Sequence, residues 1–268
     1  MRESLIVEGT IEVRRLADGA GVHEVSPGDP LIALEGSHYG ARAAWTAPGG
    51  FAFVGPAYDG SGWWLTASGD HAAVPALISA AVAQFDGELA GLTVPRGVPI
   101  GPWDVIEDDV SEWDLMLAQA PPPAQPHEDR VAVIEDLAVV QRFLDRTSPT
   151  HSVRADDPEV LAWGGVVDGG TNAAKSDETT GSGDLVAIGA LVRRPSGAAY
   201  LASIATAEQA RGGGLGSAVT AYLTRRAFTS GAPDCILAHY HPNESARRMY
   251  LRLGYRTTHQ CTSAAFRR

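Results

Sequence analysis

The stretch ATAEQARGGGLGSAVTAYL, from Ala205 to Leu223, places several glycines directly before an apolar helical pattern. Glycine loses more backbone freedom on folding than any other residue, so a run of glycines needs a structural reason. The first N–H groups of a helix have no partner inside the helix, and the helix dipole makes that end positive. Because glycines let the backbone approach an anion closely, the stretch predicts a phosphate-binding loop.

Two common phosphate loops do not fit this stretch. A Walker loop requires GxxxxGK followed by Ser or Thr, and no lysine follows any of these glycines. The dinucleotide fingerprint GxGxxG also fails, because Ser217 stands where its third glycine is required. The pattern that remains is R-x-x-G-x-G, formed by Arg211, Gly214 and Gly216.

This pattern, between a strand and a helix, resembles the pyrophosphate loop of the GNAT superfamily of acyl-CoA-dependent N-acyltransferases, in which Gln or Arg begins the motif and Gly or Ala ends it. A second stretch, LAHYHPNESARRMYLRLGYR, is similar to a later motif of that family: a strand, an asparagine, and a helix that carries a tyrosine and ends in Leu-Gly-aromatic. The matching positions are Asn243, Ala246, Tyr250, Leu253, Gly254 and Tyr255. The resemblance covers about residues 130–268.

The resemblance implies that acetyl-CoA is the acyl donor and that two groups of residues bind it. Arg211 would support the loop or the phosphates, and the pyrophosphate would lie against the backbone amides of Gly212, Gly213, Gly214, Leu215, Gly216 and Ser217. The pantetheine arm would lie in a wedge between two splayed strands. The residues implied for that arm are Ile204, Ala205, Thr206, Asn243 and Ala246.

The implied reaction transfers an acetyl group to a primary amine of a small molecule or peptide, with Tyr250 as the general acid. A phenol has an ordinary pKa of about 10, so it stays protonated at neutral pH and can hydrogen-bond or protonate the leaving sulfur. The general base stays open, since the segment AAYLASIAT contains no carboxylate. His239, His241, a water relay and an amine that arrives neutral are the alternatives. Two other functions are a non-catalytic CoA sensor or assembly module and a scaffold that binds no cofactor.

Alternating strand and helix patterns predict an α/β fold with a central mixed, partly parallel twisted sheet flanked by helices. Predicted helices cover Val133–Arg146, with Ile134, Leu137, Ala138 and Leu144 on the apolar face, a segment from Leu215 that stops at Gly231, and a segment that ends at Gly254. CILAHY and LAGLTVP are predicted strands, and Pro195–Gly197 a hairpin turn. Asp168–Asp184 is a predicted long polar loop.

The proline run APPPAQP marks a predicted domain boundary. Residues 1–126 carry a net charge of −12 and residues 127–268 a net charge of +1. Since proline runs favour extended backbone, we expect a linker at 121–126 between domains at 1–120 and 127–268.

The first half repeats the strand-loop-helix outline in Gly62–Phe85, which predicts a degenerate second GNAT-like unit. In place of the arginine-glycine loop it has Ser68, Gly69, Asp70 and His71. Asp70 is expected to cap the helix itself and to repel a pyrophosphate, so we expect one CoA site per chain. Trp63 and Trp64 are candidates for lining a substrate cleft.

The composition argues against several classes of partner. An acidic first half disfavours nucleic acid, because phosphate backbones require Lys and Arg. The best apolar run is too short to cross a membrane and no secretory signal is visible, so we expect a cytoplasmic protein. The two cysteines, Cys235 and Cys261, are not in a metal-type spacing, so we expect buried reduced thiols and no metal. A homodimer stays open.

Overall fold

The computed structural model describes residues 6–8, 11–36, 40–57, 60, 62–85, 87–169 and 184–267. The chain divides into two compact units. The first unit contains residues 1–115, 239–243 and 257–268, and the second contains residues 116–238 and 244–256. The domain bounds expected from the sequence stay a prediction, and nearly all of the polar loop expected at 168–184 lies outside the described residues.

The described chain contains strands and five α-helices in an alternating order. The strands are β1 Ile6–Glu8, β2 Ile11–Arg15, β3 Ala43–Ala47, β4 Gly50–Pro56, β5 Trp63–Gly69, β6 Leu89–Pro95, β7 Val105–Ala118, β8 Ala132–Val133, β9 Val160–Val167, β10 Leu185–Arg193, β11 Ala199–Thr206, β12 Cys235–Tyr240 and β13 Arg256–Phe266. The helices are α1 Val22–Val25, α2 Ala73–Gln84, α3 Leu137–Thr147, α4 Leu215–Thr229 and α5 Glu244–Arg252. Strands and helices together form a mixed α/β fold, as the sequence predicted.

The first unit is built on neighbouring strands in the order β1-β2-β3-β4-β5-β6-β13. Its strands β2 to β5 pair antiparallel, whereas β5 and β6 pair in parallel. Helix α2 connects these two parallel strands and buries Val74, Leu77 and Ile78 in the core of the unit. The expectation that Asp70 caps α2 is wrong: the helix begins after Ala72 and no side chain caps it. The main-chain oxygen of Asp70 instead accepts bonds from the N–H groups of the first turn.

The second unit has neighbouring strands in the order β12-β11-β10-β9-β8. Strands β8 to β11 pair antiparallel, and β11 and β12 pair in parallel. Helix α4 connects the two parallel strands and contributes Ala218, Val219 and Leu223 to the core of this unit. The two units therefore share an order of elements: β2-α1-β3-β4-β5-α2-β6 in the first and β8-α3-β9-β10-β11-α4-β12 in the second.

The structure confirms most of the strands and turns predicted from the sequence. CILAHY is β12, LAGLTVP is β6, and the turn at Pro195–Gly197 joins β10 to β11 as a hairpin. The first predicted helix is wrong at its start, because Ala132 and Val133 pair with β9 and α3 begins at Leu137. Asp136 caps α3: its side-chain oxygen accepts hydrogen bonds from the main-chain N–H groups of Ala138 and Val139.

The predicted apolar face of α3 is also partly wrong. Leu137 is exposed, and the residues that α3 buries are Val140, Phe143 and Leu144. The buried residues follow the i, i+3, i+4 spacing of one helix face, whereas Leu137 is the first residue of the helix.

The first unit contains a buried ion pair between Arg96 and Asp114. The carboxylate of Asp114 is fully buried and lies 2.6 Å from Nη2 of Arg96, whose side chain is itself mostly buried. The Nδ1 of His241 and the Nε2 of His239 lie 3.6 Å and 3.9 Å from the other carboxylate oxygen. Removal of one partner from such a pair leaves an uncompensated charge in the interior.

We therefore expect Asp114→Ala to lower the free energy of unfolding by roughly 3–5 kcal/mol, the range for a broken buried pair. The matched control is Asp104→Ala, which breaks the exposed pair between Asp104 and Arg267 (3.1 Å) and should cost far less. Urea denaturation of both variants measures the difference. Equal losses of stability would contradict the assignment of Asp114 as the anchor of a buried pair.

Candidate functional site

The glycine loop between β11 and α4 uses its glycines for two different reasons. Gly212 and Gly214 have φ angles of +79° and +80°, in the left-handed region that residues with a Cβ rarely adopt. Gly216 is in the first turn of α4, where a Cβ would lie 3.3 Å from the Thr206 hydroxyl oxygen and 3.6 Å from the Met249 sulfur. Gly213 has neither constraint, since its Cβ would lie at an ordinary 3.4 Å from the nearest main-chain oxygen.

The first turn of α4 presents donors that the helix does not use. The first helical hydrogen bond is donated by Ala218 to the main-chain oxygen of Gly214, at 3.0 Å. The N–H groups of Leu215, Gly216 and Ser217 therefore have no partner within the helix. They lie at the positive end of a 15-residue helix dipole, which favours an anion.

Arg211 ties the loop to the end of β11. Its Nε donates a hydrogen bond to the main-chain oxygen of Thr206, at 3.2 Å, and the side chain is exposed. Both roles expected for Arg211, support of the loop and contact with the phosphates, stay predictions. Its guanidinium adds a positive charge to the loop, four residues before α4 begins at Leu215.

Strands β11 and β12 pair over three residues and then separate. The last parallel pair joins Leu201 to Leu237, whereas β11 continues to Thr206. In the same stretch, Ser203 has a φ of +52° and the register of β11 against β10 shifts, which marks a β-bulge. The residues expected to bind a pantetheine arm, Ile204, Ala205 and Thr206, all lie beyond the last pair with β12.

Tyr250 lies on α5 and is buried, with 5% of its surface exposed. Burial raises the pKa of the Tyr250 phenol above its ordinary value of 10.0, and the nearby phenol of Tyr200 raises it further. Its ring centroid lies 6.0 Å from that of Tyr255, whose hydroxyl is 2.7 Å from the Thr224 hydroxyl. Tyr250 is therefore held in its protonated form at neutral pH.

The other residues of the second motif occupy different environments. Asn243 is exposed directly before α5, belongs to the first unit and donates its main-chain N–H to the oxygen of Tyr240 at 2.9 Å. Ala246 is half-buried on α5. His239 and His241, the histidines considered as bases, also belong to the first unit, where both face Asp114. Their roles stay predictions.

The structure adds residues to the loop region that the sequence analysis placed in or beside the linker. The side-chain oxygen of Gln125 accepts a hydrogen bond from the Ser217 hydroxyl at 2.9 Å. Glu128 pairs with Arg225 of α4 at 2.6 Å, and the ring of His127 lies near Gly214. No periodic pattern relates residue 125 to a residue 92 positions away, so sequence reasoning missed these contacts.

The described residues contain neither a metal-type cluster nor a candidate membrane-spanning helix. No group of three or more His, Cys, Asp or Glu side chains there is arranged to hold a metal ion. Within the same residues, no helix combines the length and the apolar character that crossing a membrane requires. Cys235 and Cys261 are buried and form no disulfide, and burial raises the pKa of each thiol to about 12.

Comparisons with known proteins give one family match and several similar solved structures. Residues 138–255 match the model of the acetyltransferase (GNAT) family. No curated protein matches the chain. The solved structure of a GCN5-related N-acetyltransferase from Sphaerobacter thermophilus is 16% identical, with a TM-score of 0.56, and the match covers 97% of this chain and 96% of that one.

Two further solved structures are similar over most of the chain. A GNAT-family protein from Novosphingobium aromaticivorans is 20% identical with a TM-score of 0.51, covering 80% of this chain and 86% of that one. A GCN5-related N-acetyltransferase from Kribbella flavida has the same identity and TM-score, covering 81% of this chain and 87% of that one. At these identities the likeness shows a shared fold.

The two kinds of loop glycine make a testable contrast. Gly214→Ala should lower the free energy of unfolding by about 1–2 kcal/mol, because alanine is strained at a φ of +80°. Gly213→Ala is the matched control and should leave stability nearly unchanged, since its φ is not positive and its Cβ has room. Chemical denaturation of both variants measures this. The described loop geometry would be wrong if the two substitutions had the same effect.

Proposed function

Because residues 138–255 match the model of the acetyltransferase (GNAT) family, we propose that this chain transfers an acetyl group from acetyl-CoA to a primary amine of a small molecule or peptide. The observation that carries the proposal is the first turn of α4. There, N–H groups without helical partners, two left-handed glycines and Arg211 come together. This donor set fits a diphosphate.

Two regions of the second unit would hold the cosubstrate. The amides of residues 212–217 would bind the pyrophosphate, and the free edge of β11 at Ile204–Thr206 would bond to the pantetheine arm. Because Gly216 has no side chain, the first turn of α4 can lie close to the end of β11: a Cβ there would lie 3.3 Å from the Thr206 hydroxyl oxygen. When bound, acetyl-CoA supplies a thioester whose carbonyl carbon an amine can attack.

We propose that Tyr250 stabilises the departing sulfur. Formation of the N–C bond breaks the C–S bond, and the electron pair that leaves with sulfur needs a proton or a hydrogen bond. The raised pKa of Tyr250 keeps its proton in place, and burial also disfavours a free tyrosinate. A hydrogen bond to sulfur, or a transfer followed by prompt reprotonation, is therefore the role that fits this phenol.

One observation favours the alternative of a non-catalytic CoA-binding module. Strand β11 has no Asp or Glu between Ala199 and Thr206, so no carboxylate of that strand can take the proton of an ammonium substrate. The binding module predicts that CoA binds but that no acetyl group is transferred. The enzyme predicts CoA binding and acetyl transfer, and a scaffold that binds no cofactor predicts that neither occurs.

The enzyme hypothesis is tested with acetyl-CoA and a panel of amines, by following the release of free thiol. Tyr250→Phe should lower kcat by about 100-fold or more, the usual contribution of a general acid, while leaving the Kd for CoA unchanged. Tyr240→Phe removes an exposed phenol and is the matched control. Turnover that survives intact in Tyr250→Phe would contradict the role of this residue, and turnover with no amine would favour the binding module.

The pH profile gives a separate check on Tyr250. Since its folded pKa lies above 10.0, kcat should not decline through deprotonation of this phenol up to about pH 10. A fall in kcat centred below about pH 9, absent from Tyr250→Phe, would contradict the raised pKa.

The anion site is tested by calorimetry with CoA. Gly213→Glu places a carboxylate beside the loop amides at a position whose backbone accepts a side chain, so the Kd should rise by at least about tenfold. Thr229→Glu adds the same charge at the exposed last residue of α4 and should leave the Kd unchanged. Equal CoA affinity in the two folded variants would contradict a pyrophosphate site at this loop.

A further inference from the structure

Residues Gln125–Glu128 are anchored to α4 at two points. The Gln125 side-chain oxygen accepts from the Ser217 hydroxyl at 2.9 Å. Both carboxylate oxygens of Glu128 accept from the Arg225 guanidinium, at 2.6 Å and 3.2 Å. The main-chain N–H of Gln125 also donates to Glu128 at 3.1 Å, which joins the two anchors. The segment is therefore fixed against the first three turns of the helix.

His127 lies between these anchors in an unusual backbone conformation. Its φ is +65°, in the left-handed region that a side chain with a Cβ rarely adopts. Its ring is exposed, and Cδ2 would lie 3.9 Å from a Cβ placed on Gly214, the residue that precedes α4. The anchors thus hold an imidazole beside the loop whose amides the proposed function assigns to the pyrophosphate.

The charges around His127 are compatible with an anion. Burial alone would raise the pKa of Glu128, but the hydrogen bonds from Arg225 and from the Gln125 N–H outweigh it and hold the pKa below its ordinary value. The carboxylate of Glu128 is therefore ionised and paired. The segment from Arg211 to Ser217 contains no acidic residue, and Asp129 is the exposed carboxylate that follows in the chain.

From this geometry we propose that His127 is an additional ligand of the CoA pyrophosphate, donating a ring N–H from outside the glycine loop. Gln125 and Glu128 are positioning residues that hold it there. The inference rests on the proposed function, since it assigns the anion at this helix to CoA. It extends the site to a segment that the sequence analysis treated as a linker.

Calorimetry with CoA and with 3′-dephospho-CoA tests the proposal. His127→Gly removes the imidazole and relieves the left-handed backbone, so folding should be preserved. Its Kd should rise about tenfold for both ligands, the effect of one hydrogen bond to a charged group. His23→Ala, at an exposed histidine of α1, is the matched control and should not change either Kd.

The outcomes separate this inference from the proposed function. If the wild-type protein binds CoA and His127→Gly binds each ligand with the wild-type Kd, His127 is not a ligand. That result would leave the proposed function intact. If only the affinity for CoA falls, the imidazole contacts the 3′-phosphate and the pyrophosphate assignment is overturned. A wild-type protein that binds neither ligand would overturn both proposals.

A double-mutant cycle tests the positioning role. Gln125→Ala should weaken CoA binding several-fold when His127 is present and have no further effect in the His127→Gly background. Independent, additive losses would show that Gln125 does not act through His127 and would overturn that part of the proposal.

Discussion

The site depends on the unmet hydrogen-bonding capacity of one helix end. The N-terminal N–H groups of α4 have no helical partners, and the chain places glycines and an arginine around them instead of a capping side chain. A capping Ser, Asp or Asn would satisfy these donors internally. At Gly214 the cap position has a φ of +80° and no side-chain cap bond, so the donors stay available to a ligand.

The rest of the second unit keeps this helix end in place. Helix α4 packs through Ala218, Val219 and Leu223, which are fully buried. Close packing against the sheet depends on two glycines, since a Cβ would lie 2.8 Å from the Leu223 side chain at Gly164 and 3.1 Å from it at Gly189. Arg211 ties the loop to the end of β11, and Gln125 and Glu128 bond to side chains in the first three turns of α4.

Much of this arrangement could be predicted from local sequence. The loop, the helix after it and the strand CILAHY follow from glycine positions and from short apolar periods, which act over a few residues. The start of α3 could not be predicted, because the pairing of Ala132 and Val133 with β9 overrides a continuous helical pattern. The contact between Gln125 and Ser217 could not be predicted either, since tertiary folding alone brings these two side chains together.

The two units share an order of elements, but helix α2 has no glycine loop before it and follows Asp70 instead. The central claim is that the amides before and within the first turn of α4 bind a diphosphate. Backbone 15N–1H NMR of the protein titrated with CoA tests it most directly. Our account predicts the largest shifts at residues 212–217. If CoA binds but the amide chemical shifts of residues 212–217 do not change, the account is contradicted.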